Sequence, residues 1–343
     1  MIIHKKAHPR AALVGNPSDG YFGKTIAFTF KNFFAEVTLY ESPELEIIPS
    51  TRDHCRFADV HQLVDDVDKY GYYGGIRLLK ASIKRFYDYC RAQGWDLNSS
   101  NFTVRYTTTI PPHLGLAGSS AIITACFRAL LAFYELTIDN PVLANLVLSV
   151  ETEELGIPAG LQDRVAQVYD RPVYMNFDRK LMESRGYGEY EVIAPDAFPS
   201  LYIAYRAELS QGSEITHNNL RYRYRKGEQD VLDAIRYWSN LTETVKNMLG
   251  SGTVDGIGEL LNANFDTRRK ICDISSGNRQ MVDAARTTGA SAKFTGSGGA
   301  IIGTYSSEEM FEALVRKLGA TGVNVIKPQL TDNDDAQPGL QDA

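Results

Sequence analysis

The run PPHLGLAGSSAIITACFRALLAFYEL passes directly from two prolines and small residues into an apolar helical stretch, which sets Gly115, Gly118, Ser119 and Ser120 at a helix entrance. Two kinds of chemistry suit that arrangement. Serine and glycine are favoured helix starters, so a plain N-cap accounts for it. A glycine-rich loop at a helix N-terminus also attracts anions, because unpaired backbone N–H groups and the positive end of the dipole point the same way. Spacing alone leaves both open. A second glycine-rich turn, Gly296 to Ala300, follows Lys293 and Thr295 and runs into the apolar AIIG. It is either a tight turn before a strand or backbone closing over a phosphate or substrate, an approach that glycine permits. Neither run is a P-loop, and the protein-kinase motifs HRD and DFG are absent.

Between the two glycine runs, ETEELGIPAGLQD carries Glu151 and, twelve positions on across a Pro/Gly loop, Asp163. Phosphoryl transfer needs a carboxylate for Mg2+ and a polar group facing the attacking hydroxyl. The competing reading is electrostatic: Asp163 opens a helix, where acidic residues complement the dipole, and Glu151 and Glu154 are solvated surface. LRYRYRK alternates Arg with Tyr, but a net charge of −6 favours a solvated helix face over a nucleic-acid strip. His113 reads as a loop residue.

Positioning these groups takes a full-sized fold. A chain of 343 residues with 43% hydrophobic and 23% charged residues suggests two globular domains with ordinary cores. The start MIIHKKAHPR lacks the layout of a signal peptide, and the longest apolar runs fall short of a membrane span. Cys55, Cys90, Cys126 and Cys272 form no metal spacing and fit a reducing, cytoplasmic setting. RAALVG and KTIAFTFKNFFAEVTLYE read as strands around the turn NPSDGYFG. LEIIPS, NFTVRYTTTIPP, RPVYMNFD and YEVIAP are further strands. Helices are expected over 76–94, 119–135, 141–155 and in GLQDRVAQVY. After a boundary near 185–198 come the strand PSLYIAYRA, helices over about 213–226, 228–250, 254–270 and 278–288, a helix over 307–318 and the strand NVIKP. The fold class is α+β.

Taken in order, PRAALVGNPSDGYFGKTIAF, PPHLGLAGSSA and GASAKFTGSGGAIIG resemble the three motifs of the GHMP small-molecule kinases. Within that family, VGNPSDGYFGKTI, GYYGGIRLL, GIPAGLQDRVAQVY, NFDTRR and AKFTGSGGA are similar to the plant-type glucuronokinases, which phosphorylate D-glucuronate at the anomeric hydroxyl. GLAGSSA is one residue longer than the common GLGSSA. The resemblance implies a two-domain GHMP kinase fold, with a ribosomal-S5-like domain over 1–190 and a ferredoxin-like domain over 191–328; the polar, acidic composition of 329–343 points to a disordered tail.

The resemblance also implies roles. Gly115, Leu116, Ala117, Gly118, Ser119, Ser120 and Ala121 form the loop that binds the ATP phosphates, with Gly118 in an unusual backbone conformation. Ser120 and Glu151 are the Mg2+ ligands, Asp163 faces the reacting hydroxyl, and Arg10 sets positive charge near the transferring phosphate. Asp19 holds sugar hydroxyls, Gly296 and Gly298 belong to the closing loop, and Tyr72 and Tyr73 line the pocket or pack in the core. The sugar carboxylate calls for a cation from among Arg164, Arg268, Arg269 and Lys293, with Arg268 or Arg269 preferred. Adjacent helical positions cannot both face one site, so one of those two is a surface residue. The implied partners are ATP and a sugar acid, with no nucleic acid and no membrane, and nothing sets an oligomeric state. The alternatives are another GHMP sugar 1-kinase acting on a neutral hexose, a heptose or galacturonate, or a non-catalytic binding protein of the same fold.

Overall fold

The computed structural model describes residues 1–50, 53, 58–60, 74–206 and 220–332. Its described strands are β1 (Ile2–Ala7), β2 (Arg10–Val14), β3 (Lys24–Thr29), β4 (Ala35–Ser42), β5 (Glu46–Ile48), β6 (Asn101–Thr108), β7 (Val173–Asn176), β8 (Glu189–Val192), β9 (Leu201–Tyr205), β10 (Lys293–Phe294), β11 (Ala300–Thr304) and β12 (Asn324–Ile326). They form three four-stranded sheets with orders β1-β4-β6-β5, β2-β3-β7-β8 and β10-β11-β9-β12. Pairing is antiparallel except between β5 and β6.

The helices fill the spaces between the sheets. Helix α1 (Gly75–Ala92) and the apolar α2 (Gly118–Phe133) pack on each other, and α2 lies across β1 and β4. Eleven of the sixteen residues of α2 are buried, as expected of a largely apolar helix. Helix α3 (Asn140–Ser149) leads into a five-residue wide turn, Val150–Glu154, and α4 (Leu161–Tyr169) follows. A short α5 (Arg179–Arg185) is capped by the Asp178 carboxylate. The long α6 (Gln229–Ser251) presents Val231, Ile235, Trp238, Leu241, Val245 and Leu249 at helical spacing and packs on β2 and β3. Helices α7 (Ile257–Ile271), α8 (Ser276–Arg286) and α9 (Glu308–Gly319) accompany the third sheet. One apolar cluster runs from Ile3 to Ile302, and a smaller one gathers around Tyr202, Phe265, Phe294 and Leu314.

Most expected elements are present, with five differences. The first residues form β1, whose alternation is obscured in the sequence by consecutive Lys5 and Lys6. The segment 24–41 is two strands in two sheets, β3 and β4, rather than one. The helix expected over 141–155 is α to Ser149 and continues as a single wide π turn over Val150–Glu154, and α5 falls where no helix was expected. At the start of the polar tail, Leu330 bridges to Phe30, and the buried Thr331 hydroxyl and amide are bonded to Thr29. The rest of the tail beyond residue 332, Cys55, Tyr72, Tyr73 and most of the helix expected over 213–226 lie outside the described residues. Among the described residues, no helix is long and apolar enough to cross a membrane.

Candidate active site

The two glycine-rich runs, 180 residues apart, meet backbone to backbone. Gly115 has φ +62°, and a Cβ there would stand 2.9 Å from the Ser297 amide nitrogen and 3.2 Å from the Gly298 oxygen. A Cβ on Gly296 would stand 2.4 Å from the Gly115 oxygen. Only glycine allows that approach, and the positive φ at Gly115 adds a second reason. Strand β2 runs between the loops: Arg10 N–H donates to the Leu116 oxygen and Ala12 N–H to the Thr295 oxygen, each at 3.0 Å. The Arg10 guanidinium donates to the carbonyls of Gly115 and Thr295, one on each loop.

The entrance of α2 is not an ordinary serine cap. Its N-cap is Ala117, a left-handed residue with φ 62° and ψ 45°, and no side chain caps the helix. The serines lie inside the first turn, so the plain serine-cap expectation does not describe this helix start. Gly118 is helical rather than unusual in φ, and a Cβ there would make only an ordinary 3.5 Å contact with Ile110.

The wide turn after α3 carries Glu151 inward, where it is buried. Its Oε1 accepts from the Ser119 hydroxyl at 2.8 Å, and Oε2 is paired with Arg164. Ser120, expected beside Glu151, instead turns its buried hydroxyl to the Ala117 carbonyl at 3.2 Å. Successive helical residues point about 100° apart, so only one of two adjacent serines can reach this carboxylate. Asp163, in the first turn of α4, lies between two guanidinium groups. Arg10 Nη2 is 2.6 Å from Oδ1, and Arg164 Nη1 is 3.1 Å from Oδ2. Burial works against the Arg164 charge, but Glu151 and Asp163 outweigh it and hold its pKa above the usual value.

Asp19 sits on the turn Ser18–Tyr21, partly exposed, with Gln162 donating to it at 3.2 Å. Burial, and after it the charge of Asp163, push its pKa up to about 6 against the pull of Arg10. The Gln162 amide oxygen, Oε1, is buried without a hydrogen-bond partner among the described residues. Gln162 was passed over in the sequence although it adjoins Asp163. So was Asn264, which fastens the strand-to-turn corner by accepting from Gly15 N–H at 2.7 Å and donating to the Asn16 oxygen at 3.1 Å.

The four candidate cations separate. Arg164 is consumed by Glu151 and Asp163. Arg269 is exposed and paired with Asp283 at 3.5 Å, away from the loops. Lys293 is buried, donates to the Ala12 oxygen at 2.8 Å and to Asn16 Oδ1 at 2.5 Å, and has its pKa lowered by burial and by Arg268. It is a strut beneath the corner. Arg268, like Lys293, is buried and has no carboxylate partner among the described residues, but its hydrogen bonds go to the Gly296–Ala300 loop rather than to the β2 corner. It donates to the Gly296 oxygen at 2.7 Å and the Ser297 oxygen at 3.4 Å, lies 5.1 Å over the Phe294 ring, and leaves Nε unpartnered. Gly298, with φ +144°, closes the loop against Asn278, whose Oδ1 accepts from Gly299 N–H at 2.9 Å. The helical residues 220–225 approach the turn Ser18–Tyr21: Tyr224 stands 5.0 Å from Tyr21, ring to ring.

The oxygen donors suit Mg2+, which binds through one or two carboxylates and leaves other positions to water and phosphate. Glu151 Oε1 and Ser119 Oγ supply a carboxylate and a hydroxyl at one point beside the loop. Among the described residues, no group of three or more His, Cys, Asp or Glu side chains could hold a metal by itself.

The profile of the GHMP kinases N terminal domain matches residues 77–171, a stretch that holds the loop, Glu151 and Asp163. Glucuronokinase 1 of Arabidopsis thaliana is 38% identical over 344 aligned residues, covering 97% of this chain and 94% of the relative. Probable glucuronokinase 2 of the same plant is 40% identical over 308 residues, covering 88% and 84%. The solved phosphomevalonate kinase of Streptococcus pneumoniae, in complex with phosphomevalonate and AMPPNP, superposes with a TM-score of 0.75 at 16% identity, covering 96% and 99%. That last likeness establishes the fold.

Proposed function

The chain belongs to the GHMP kinase family, and on that premise we propose that it transfers the γ-phosphoryl group of ATP to the anomeric hydroxyl of D-glucuronate, giving ADP and glucuronate 1-phosphate. The observation that carries the substrate is Arg268, a buried guanidinium whose partners among the described residues are carbonyl oxygens and an aromatic face. A buried cation without a counter-ion is costly, and a uronate carboxylate supplies the missing charge in the planar form that Arg prefers.

The remaining parts take roles that follow from their positions. Backbone N–H groups at the start of α2 receive the ATP phosphates, with the helix dipole favouring the negative charge. Arg10 fixes both glycine loops and Asp163 in one arrangement, so its charge lies where phosphoryl charge develops. Asp163 orients the hydroxyl and takes its proton as the bond to phosphorus forms, a modest demand in a loose transition state. Asp19 holds sugar hydroxyls by charge-assisted hydrogen bonds. Glu151 and Ser119 would hold Mg2+, which when bound neutralises charge on the phosphate oxygens. A cytoplasmic setting completes the proposal and accords with Cys90, Cys126 and Cys272 being free thiols.

The test is an ADP-release assay over glucuronate, galacturonate, glucose, galactose and a heptose, with and without Mg2+. Glucuronate should give the highest kcat/KM. A neutral hexose or a heptose used best would overturn the uronate reading, and galacturonate used best would shift it to the other C4 epimer.

A further inference from the structure

The amide of Gln167 is buried beneath the site, one helical turn after Asp163 on α4. Its Nε2 donates to the Ala117 carbonyl at 2.8 Å and to the His8 carbonyl at 3.1 Å. Ala117 is the left-handed residue that turns the phosphate loop into α2, and His8 stands two residues before Arg10. One NH2 group therefore ties together the helix of Asp163, the kink of the phosphate loop and the entry to the strand of Arg10. The Ala117 oxygen accepts twice more, from Ser120 Oγ and Ala121 N–H, both at 3.2 Å, which fixes the direction of its peptide. The backbone oxygen of Gln167 is itself held by Arg128 at 2.7 Å.

We propose that Gln167 is a positioning residue for nucleotide binding: it holds the phosphate loop in register with Asp163 and Arg10. The need for a neutral double donor follows from what it faces. Two carbonyl oxygens from separate segments converge, and a hydroxyl brings only one proton to them. An apolar side chain of equal volume would fill the space and leave the Ala117 and His8 carbonyls without this shared donor. The left-handed kink at Ala117 costs backbone energy for a residue with a Cβ, so it needs such outside restraint to persist.

The inference rests on the reading of the loop as the ATP site, and its test keeps the two apart. Gln167→Met preserves volume and removes both N–H donors. AMPPNP affinity by calorimetry, KM for ATP, KM for glucuronate, kcat and Tm are measured on it and on the wild type. Losing the bond to Ala117 should weaken AMPPNP and raise KM for ATP by about tenfold, the scale of one buried hydrogen bond, with KM for glucuronate unchanged. Gln167→Glu is the second variant, of the same size. Its acid form donates one O–H and its ionised form none, so its KM for ATP should climb with pH relative to wild type. The charged and titratable groups around it are His8, Asp170 and Arg128 on the far side and Asp163 on its own helix, and all are shared with wild type. Unchanged KM for ATP in both variants overturns the proposal. So does a loss of kcat or Tm alone, or an equal rise in both KM values, since any of these marks a merely structural residue. Wild type that fails to bind AMPPNP sinks the nucleotide reading and this proposal with it.

Discussion

Arg164 and Arg268 are buried alike, at 4% and 3% exposure, yet their surroundings differ in the sign that matters. Arg164 lies between Glu151 and Asp163 and also donates to the Gly160 oxygen at 2.8 Å. Carboxylates raise its pKa in spite of burial. Arg268 has two carbonyls and a ring, and burial lowers its pKa with only distant help from Cys272, Tyr21 and Asp19. The first charge is balanced by Glu151 and Asp163. The second has no such carboxylate among the described residues, and the proposed uronate would supply one.

The pair can be separated by alanine substitution, and this is the largest effect expected. Arg164→Ala should remove a shared partner from two buried or part-buried carboxylates. It should cost about 3–5 kcal/mol of stability and depress turnover on every sugar together. Arg268→Ala should cost about 2–5 kcal/mol in kcat/KM for glucuronate, because the bound carboxylate is then unpaired. Glucose, without that charge, should lose far less. The comparison is read as the ratio of kcat/KM values for glucuronate and glucose from steady-state ADP release. A ratio unchanged in Arg268→Ala, or collapsing in Arg164→Ala, would break the distinction.

This distinction was only partly legible in the sequence. The loops were legible because glycine and serine runs before a helix or strand have few physical uses, and the motifs in order narrow those further. NFDTRR presents Arg268 and Arg269 as equals. The 100° between neighbouring helical positions sends one to the Gly296 carbonyl and the other to Asp283 at the surface. The same rotation exchanged Ser120 for Ser119 at Glu151, and the wide turn Val150–Glu154 that aims Glu151 has no signature in VETEE. Lys293 looked like a site cation because its motif does, but its ammonium was taken by Asn16 and a β2 carbonyl nearly the whole chain away. The Arg10–Asp163 ion pair likewise joins residues that only the fold brings together.

A smaller effect sharpens the contrast where the loop under Arg268 touches the Gly115–Ala121 loop. Gly115→Ala must adopt φ near +62° and place a Cβ 2.9 Å from the Ser297 amide nitrogen, a backbone atom that cannot swing aside. The strain and overlap together should cost about 3 kcal/mol and weaken AMPPNP binding. Gly118→Ala enters a helical position with ordinary contact to Ile110, so it should be neutral or stabilise by up to about 1 kcal/mol through helix propensity. Thermal melts and calorimetry on both variants check this. Equal behaviour of the two would mean that the loops do not need their close approach.

The smallest effect concerns Asp19, which lies within the electrostatic reach of both regions: Asp163 raises its pKa, Arg10 lowers it, and its charge reaches Arg268. Burial and Asp163 carry it from the ordinary 3.8 to about 6 in the folded protein. Between those values the folded state binds more protons than the unfolded one, so this group's contribution to stability falls as pH rises from about 4 to about 6 and stays low above that. The cost at pH 7 should be about 1–2 kcal/mol for a carboxyl that keeps some exposure. Asp19→Asn removes the ionisation. It should therefore raise Tm over wild type at pH 7, with the advantage shrinking towards pH 4. The same variant should use glucuronate less well at pH 7, because an amide cannot make the charge-assisted bonds to sugar hydroxyls. A gain in stability coupled to a loss in kcat/KM is the pattern of a carboxylate held at a cost for its ligand. A Tm difference that is constant from pH 4 to pH 7 would instead leave Asp19 an ordinary turn residue, and would take the sugar-hydroxyl contact away from this side of the cleft.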